Sequence, residues 1–191
     1  METHPILTTC SEDETARTTS EIAIIRANHL ACLGIKSVLE LCVGPSLQTL
    51  HEAYRQCNIE VYGNDIDPRW QRYWPDGKWI IGDALSIPWA ADAIVFAPPL
   101  SRGCTGRRED ALRISQVNPA YTRFIKEWAD RGPSIAVMVL PARSWATPQD
   151  RSEYHGLLTF ARRFGRISPI EMSAGVRRIR KYVDIYMEKE R

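Results

Sequence analysis

The sequence predicts an α/β domain: a doubly wound, mostly parallel sheet of seven strands, with an antiparallel strand near one edge and helices on both faces. Three observations predict it. Apolar runs of strand length alternate with helical stretches along most of the 191 residues, the pattern of parallel strands joined by helical crossovers. Three successive runs stop abruptly, at Val43-Gly44, at Asp65 and at Gly82-Asp83, so each ends at a carboxylate or a glycine. The last two runs, Ile167 to Met172 and Tyr182 to Met187, are joined by too few residues for a helical crossover and must pair antiparallel.

Residues 1 to 10 contain nothing to repay the entropy of ordering and are expected to be disordered, leaving one domain over 11–191. The first helix has two candidate starts, Ser11-Glu12-Asp13-Glu14 and Ser20-Glu21, but a clearer end. Ile22, Ile25, Leu30 and Leu33 recur near helical spacing, and Gly34 suits a left-handed C-terminal position. Ser37 to Val43 follows as a strand apolar on both faces, and Gly44 removes the Cβ where the chain must turn. Ser46 can then cap a helix running from Leu47 to about Cys57. Ile59 to Asp65 is the second strand, with Gly63 permitting a close approach to its backbone. Asp67 caps a short helical or turn segment carrying Trp70, Tyr73 and Trp74, and Lys78 to Ile81 is the third strand. Ala93 to Ala97 is the fourth, and it runs into Pro98-Pro99-Leu100. A polar loop with Arg102, Arg107, Arg108 and Arg113 leads to Asn118-Pro119, which reads as N-cap and first residue of a helix to about Asp130. Ser134 to Leu140 is the fifth strand, ending at Pro141 to Trp145, and Thr147-Pro148 opens a helix to about Phe164. A basic run, Arg177 to Lys181, joins the two closing strands.

With 44% hydrophobic and 25% charged residues, the composition is that of a globular core with a solvated surface. A net charge of +2 is too small to argue for a polyanionic partner by itself. Five cysteines without a C-x-x-C pair suggest neither a disulfide framework nor a zinc site, and His4, His29, His51 and His155 share no ligand spacing, so no metal is expected. No apolar run approaches the ~20 residues of a membrane span, and the first residues lack the regions of a secretory signal. A cytoplasmic protein without membrane contact is therefore expected.

The corner at Gly44 narrows the ligand. A dinucleotide fold needs several glycines so that a pyrophosphate can lie against the helix start. Here Pro45 removes a donor, and Leu47 and Thr49 stand where further glycines would help. No Gly-Lys-Ser/Thr follows the strand, which excludes a P-loop. Asp65 lies 21 residues beyond Gly44, near the offset of ~20 at which such folds place a ribose-binding acid. One glycine among Glu40, Asp65 and Asp83 suits a nucleoside without phosphates and with positive charge. S-adenosylmethionine has that form: a ribose diol for Asp65, an adenine amino group for Asp83, and an ammonium and sulfonium for the surroundings of Glu40. The plainer alternatives are carboxylates that cap helices or pair with lysines, a Cys42 that only packs, tryptophans that fill the core, and a Pro98-Pro99 that only stops a strand.

Over roughly Ser37 to Leu140 the sequence resembles the class I S-adenosylmethionine-dependent methyltransferases. Glu40-Leu41-Cys42-Val43-Gly44 is similar to their first motif, Asp65 to the ribose-binding acid, Gly82-Asp83-Ala84-Leu85 to the adenine-binding segment, and Ala97-Pro98-Pro99-Leu100 to the Asn/Asp-Pro-Pro-aromatic element. The resemblance implies S-adenosylmethionine as cofactor, held by Glu40, Cys42, Gly44, Asp65, Ile66, Asp83, Ala84 and Ala97. It also implies an acceptor loop at Pro98, Pro99 and Leu100. The chain departs from the pattern at Ala97, where nitrogen-methylating enzymes carry a polar residue, and at Leu100, where they carry an aromatic. The implied activity is methyl transfer to a macromolecule, a nucleic acid or a protein, at nitrogen; the arginine clusters would suit phosphates. The reading from a different class is a catalytically silent adenosyl-binding scaffold, or a regulatory subunit of a methyltransferase complex.

Overall fold

The computed structural model describes residues 20–44, 47–74, 78–99, 112–117, 120–140, 147–174 and 180–190. In chain order these form α1 (Ser20–Cys32), β1 (Ser37–Leu41), α2 (Leu47–Gln56), β2 (Glu60–Asp65), a 3-10 turn (Pro68–Tyr73), β3 (Trp79–Ile81) and β4 (Ala93–Phe96). A second 3-10 turn (Ile114–Gln116), α3 (Tyr121–Arg131), β5 (Ile135–Val139), α4 (Pro148–Ala161), β6 (Arg166–Ala174) and β7 (Arg180–Glu188) complete the order. The expectations at Ser11 to Glu14, Ser46, Leu100, Trp145 and most of the two arginine clusters lie outside the described residues, as does the expected disorder of residues 1 to 10.

All seven strands join one sheet in the order β3-β2-β1-β4-β5-β7-β6. The first five are parallel, and β7 runs antiparallel to both β5 and β6. The antiparallel strand therefore lies one place in from the edge, with β6 outermost. Between β1 and β4 the order reverses direction, which makes this the crevice where open α/β sheets bind ligands.

The two-residue period of the strands divides the core into two layers. Leu39, Leu41, Ile94, Phe96, Ala136 and Met138 pack against α3 and α4, where Phe124, Trp128, Leu157 and Leu158 are buried. Phe96 stacks on Phe124 at a centroid distance of 4.4 Å. On the other face Val38, Val61, Val95 and Val137 meet Ala23, Ala27 and Leu30 of α1 and Leu50, Ala53 and Tyr54 of α2. Burying each larger apolar side chain contributes about 1.5–3 kcal/mol, so both faces need their helices.

Local chemistry explains the boundaries. Gly34 sits at φ +78 just past α1, as its position predicts. Asp67 caps the first 3-10 turn by accepting from Arg69 N at 3.0 Å, and Thr147 with Asp150 forms a capping box at α4. Three expectations are corrected. The first strand stops at Leu41 instead of Val43, because Cys42 turns to φ +61 and leaves the ladder. The third helix begins at Tyr121 with Ala120 in the cap position and no side-chain cap bond; Asn118 and Pro119 lie outside the described residues. The close approach at Gly63 is made by the chain itself, since a Cβ there would meet the Trp79 ring at 2.7 Å. No helix among the described residues is long and apolar enough to cross a membrane.

Candidate site at the carboxyl edge of the sheet

Strand register brings the sequence-distant ends level. Leu41 pairs with Asn64 and with Phe96, and Asp65 pairs with Ile81. Cys42, Asp65, Gly82 and Ala97 consequently emerge together along the carboxyl edge. Cross-strand bonds continue past the ladder: Val43 N donates to Asn64 O at 2.9 Å, Ala97 N to Leu41 O at 3.3 Å, and Gly82 N to Asp65 O at 3.2 Å.

Asp65 is the centre of this edge. Its Oδ2 accepts from Gly44 N at 2.9 Å and its Oδ1 from Asp67 N at 2.9 Å, so one carboxylate fixes the turn after β1 and the turn after β2. A carboxylate offers about four lone-pair sites; with two used, capacity remains for a ligand's hydroxyls. Gly44 stands at φ +50, and among the described residues a Cβ there would meet only Asp65 Oδ2, at 3.9 Å. Its backbone conformation is one that favours glycine.

Asp83 follows Gly82 and is exposed. It accepts from Leu85 N at 3.0 Å and from Ser86 Oγ at 3.2 Å, and so caps the turn that follows β3. Ala84 is buried within that turn. Cys42 feels both acids: burial, then the charge of Asp65, then that of Asp83 push its thiol up to about 12. The thiol therefore stays protonated at neutral pH and offers no thiolate nucleophile. Ile66, next to Asp65, is 72% exposed, and Ile81 at the end of β3 is 49% exposed. Ala97 is half-buried, Pro98 buried and Pro99 exposed; Leu100 lies outside the described residues.

Glu40 stands apart from this group. By strand alternation it shares a face with Val38, so its side chain enters the layer beneath α1 and α2 and is fully buried. The Tyr54 hydroxyl of α2 donates to Oε1, and Arg26 Nη1 of α1 lies 3.7 Å from the same oxygen. Arg26 is itself engaged with Asp184 of β7, through Nε at 2.7 Å and Nη2 at 3.1 Å. One guanidinium thus serves two buried carboxylates. Asp184 takes the bidentate contact, and Glu40 is pushed up to about 7, chiefly by burial, against the opposing pull of Arg26 and Tyr54. Its Oε2 has no hydrogen-bond partner among the described residues.

The structure thus gathers Cys42, Gly44, Asp65, Ile66, Asp83 and Ala97 along the edge, with Ala84 just beneath, and sets Glu40 under the helices. Sequence reasoning missed two groups. Asn64 is buried and spends its amide on Ile80 O at 2.9 Å and Gly82 O at 3.0 Å, pinning the end of β3 to β2; its signal was an amide inside an apolar run. The Arg26–Glu40–Asp184 cluster also went unseen. Its signal was one arginine on the apolar face of α1, among Ile22, Ala23, Ala27 and Leu30.

The sequence matches no protein-family model and no curated protein. Solved structures do match the fold. The Pyrococcus horikoshii protein PH1948, assigned as an RNA methyltransferase, superposes with a TM-score of 0.58 at 16% identity, over 97% of this chain and 93% of its own. The E. cuniculi Mtq2–Trm112 complex, which methylates the termination factor eRF1, gives 0.54 at 15% identity over 90% and 95%. A Bacillus cereus O-methyltransferase in complex with SAH gives 0.56 at 8% identity over 96% and 93%. The fold is that of the class I S-adenosylmethionine-dependent methyltransferases.

Proposed function

We propose that the chain binds S-adenosylmethionine at the carboxyl edge of its sheet and transfers the methyl group to a macromolecular acceptor, a nucleic acid or a protein, at nitrogen. The observation that supports this most is the Asp65 carboxylate turned onto the backbone of Gly44 at the point where strand order reverses. That pairing makes an acidic corner with a glycine of positive φ and no lysine of a phosphate loop, which suits a ribose better than a pyrophosphate. Asp65 would hold the ribose diol with the lone pairs that Gly44 and Asp67 leave free. Ile66 offers an exposed apolar side chain to the flat face of a base. Asp83 and Ala84 would meet the edge of the adenine, and Cys42 and Ala97 would line the floor without competing for protons. Glu40, sealed under α1 and α2, would serve the site by fixing β1 to those helices through Tyr54 and Arg26. Pro98 and Pro99 would border the acceptor.

When bound, S-adenosylmethionine supplies an electrophilic sulfonium methyl. The protein's task is then placement and exclusion of water, which can contribute ~7–11 kcal/mol of a barrier. That accords with an edge where the Cys42 thiol is held protonated.

A second reading is favoured by Ala97. Its N–H is committed to Leu41 O and its methyl side chain cannot accept a hydrogen bond from a target amine, which fits an adenosyl-binding scaffold within a methyltransferase complex. One experiment separates the readings. Calorimetry with S-adenosylhomocysteine should show binding that Asp65→Asn weakens at least tenfold, the cost of about one charge-assisted hydrogen bond. Incubation of the unaltered protein with methyl-labelled cofactor and cell extract, followed by nuclease or protease digestion, should then release label with one polymer class. Binding without transfer selects the scaffold; no binding ends both readings.

A further inference from the structure

The turn between β3 and β4 carries Asp83 and Ala84, and its hydrogen bonds are closed from an unexpected direction. Asp83 O accepts from Ser86 N at 2.8 Å and from Ile87 N at 3.2 Å, which coils the segment tightly. Two carbonyls of this coil are met by a helix side chain: Arg131, the last residue of α3, donates from Nη1 to Ile87 O at 2.8 Å and from Nη2 to Leu85 O. Its guanidinium carbon lies 4.4 Å from the centre of the Trp89 ring, and the indole Nε1 donates to Ala84 O at 2.9 Å in a buried bond. Glu127, one turn back on α3, holds the remaining Nε at 3.0 Å. Three carbonyls of one turn therefore answer to two stacked side chains.

This arrangement has a chemical requirement. A planar fork is needed to reach two carbonyls while lying flat on an indole, and a lysine ammonium, as a point charge on a flexible stem, cannot do both. Phe124 backs Trp89 at a centroid distance of 5.5 Å, so the latch is anchored in the core of the α3 face. The position of Asp83 and Ala84 along the edge is thereby set by α3 as well as by the end of β3.

Resting on the cofactor reading above, we infer that Arg131, with Trp89 beneath it, is a positioning residue that holds the Asp83–Ala84 turn against the nucleobase and so sets selectivity for adenine. Arg131 touches no ligand; it acts through the carbonyls of Leu85 and Ile87.

The test titrates the unaltered protein, Arg131→Ala and Arg131→Lys with S-adenosylhomocysteine and S-inosylhomocysteine, which differ along one edge of the base, where the amino group becomes a carbonyl and N1 gains a proton. The unaltered protein should prefer the adenosyl ligand. Arg131→Ala should weaken that ligand about tenfold, on the scale of one hydrogen bond to a charged group, and leave the inosyl ligand nearly unchanged, so that the preference collapses. Arg131→Lys, which keeps the charge and loses the fork, should fall between, and it decides the matter if Arg131→Ala does not fold. An unchanged ratio of the two affinities, whether both hold or both fall together, overturns the latch while leaving the cofactor reading intact. Failure of the unaltered protein to bind either ligand overturns the cofactor reading, and this inference with it.

Discussion

Neighbouring residues of β1 take opposite parts, and the period of a strand decides which. Leu39 and Leu41 enter one core layer, while Val38 and Glu40 enter the other; Cys42 then leaves the ladder at φ +61 and reaches the edge. The acid at position 40 was legible as the end of an apolar run. Its burial was not, because Arg26 and Asp184 are distant in sequence and only the packing of α1 across the sheet brings them to it. That burial has a measurable consequence. Glu40 titrates near 4.5 when free and is pushed up to about 7 in the fold. Between those values the unfolded chain releases a proton that the folded chain keeps, so the stabilising contribution is complete below about 4.5 and is lost as pH rises through about 7. Relative to Glu40→Gln, which keeps the acceptor for Tyr54 and cannot ionise, the unaltered protein should lose up to about 3 kcal/mol of unfolding free energy across this window. Denaturant titrations of both proteins at pH 4.5, 6 and 8 measure the difference; parallel curves would show that Glu40 does not change its proton there.

Elements were read more securely than their ends. Strands showed as apolar runs because a parallel sheet covered on both faces leaves few polar positions in them, and the start of α4 was visible as Thr147-Pro148, although the capping box that Thr147 makes with Asp150 emerged only in the fold. Ends decided by long-range packing were hidden. The close approach expected at Gly63 belongs to this class: what comes near is the ring of Trp79 from β3, with Trp74 behind it at a centroid distance of 5.6 Å. A Cβ at Gly63 would lie 2.7 Å from two Trp79 ring atoms and 3.1 Å from Trp74. The half-buried indole packs between Gly63 of β2 and the Trp74 ring, so making room for a methyl displaces two rings together. Gly63→Ala should therefore destabilise the protein by ~1–3 kcal/mol, the usual cost of an overpacked methyl. The urea midpoint should fall with little change in slope, and tryptophan fluorescence should report the shifted rings. A midpoint equal to that of the unaltered protein would mean that β3 can move away freely.

At the scale of the molecule, a mostly parallel sheet of seven strands with an antiparallel strand near one edge followed from the alternation of strands and helices, whereas the order of the strands emerged only in the fold. The acceptor surface did not follow in the same way. Of the first arginine cluster, Arg113 alone lies among the described residues, and its Nε is 3.7 Å from Asp150 Oδ1 of α4. This arginine is drawn toward the scaffold, which weakens the case that the whole cluster is presented to phosphates. A net charge of +2 adds little field of its own. Affinity for a nucleic-acid acceptor would then have to come from local contacts, and each phosphate neutralised releases counterions, giving a log–log salt slope of about −0.7 per contact on a single strand and −0.9 on a duplex. A nucleic-acid acceptor therefore predicts a dissociation constant that rises between 50 and 200 mM salt by about tenfold for a duplex and about sevenfold for a single strand once two contacts are made, and by more for each further contact. Fluorescence anisotropy with a labelled oligonucleotide, read across that range in the presence of S-adenosylhomocysteine, measures the slope. A flat line would remove nucleic acid from the acceptor classes and leave a protein, whose recognition at this edge would rest on the exposed Pro99, stiffened by the buried Pro98, instead of on charge.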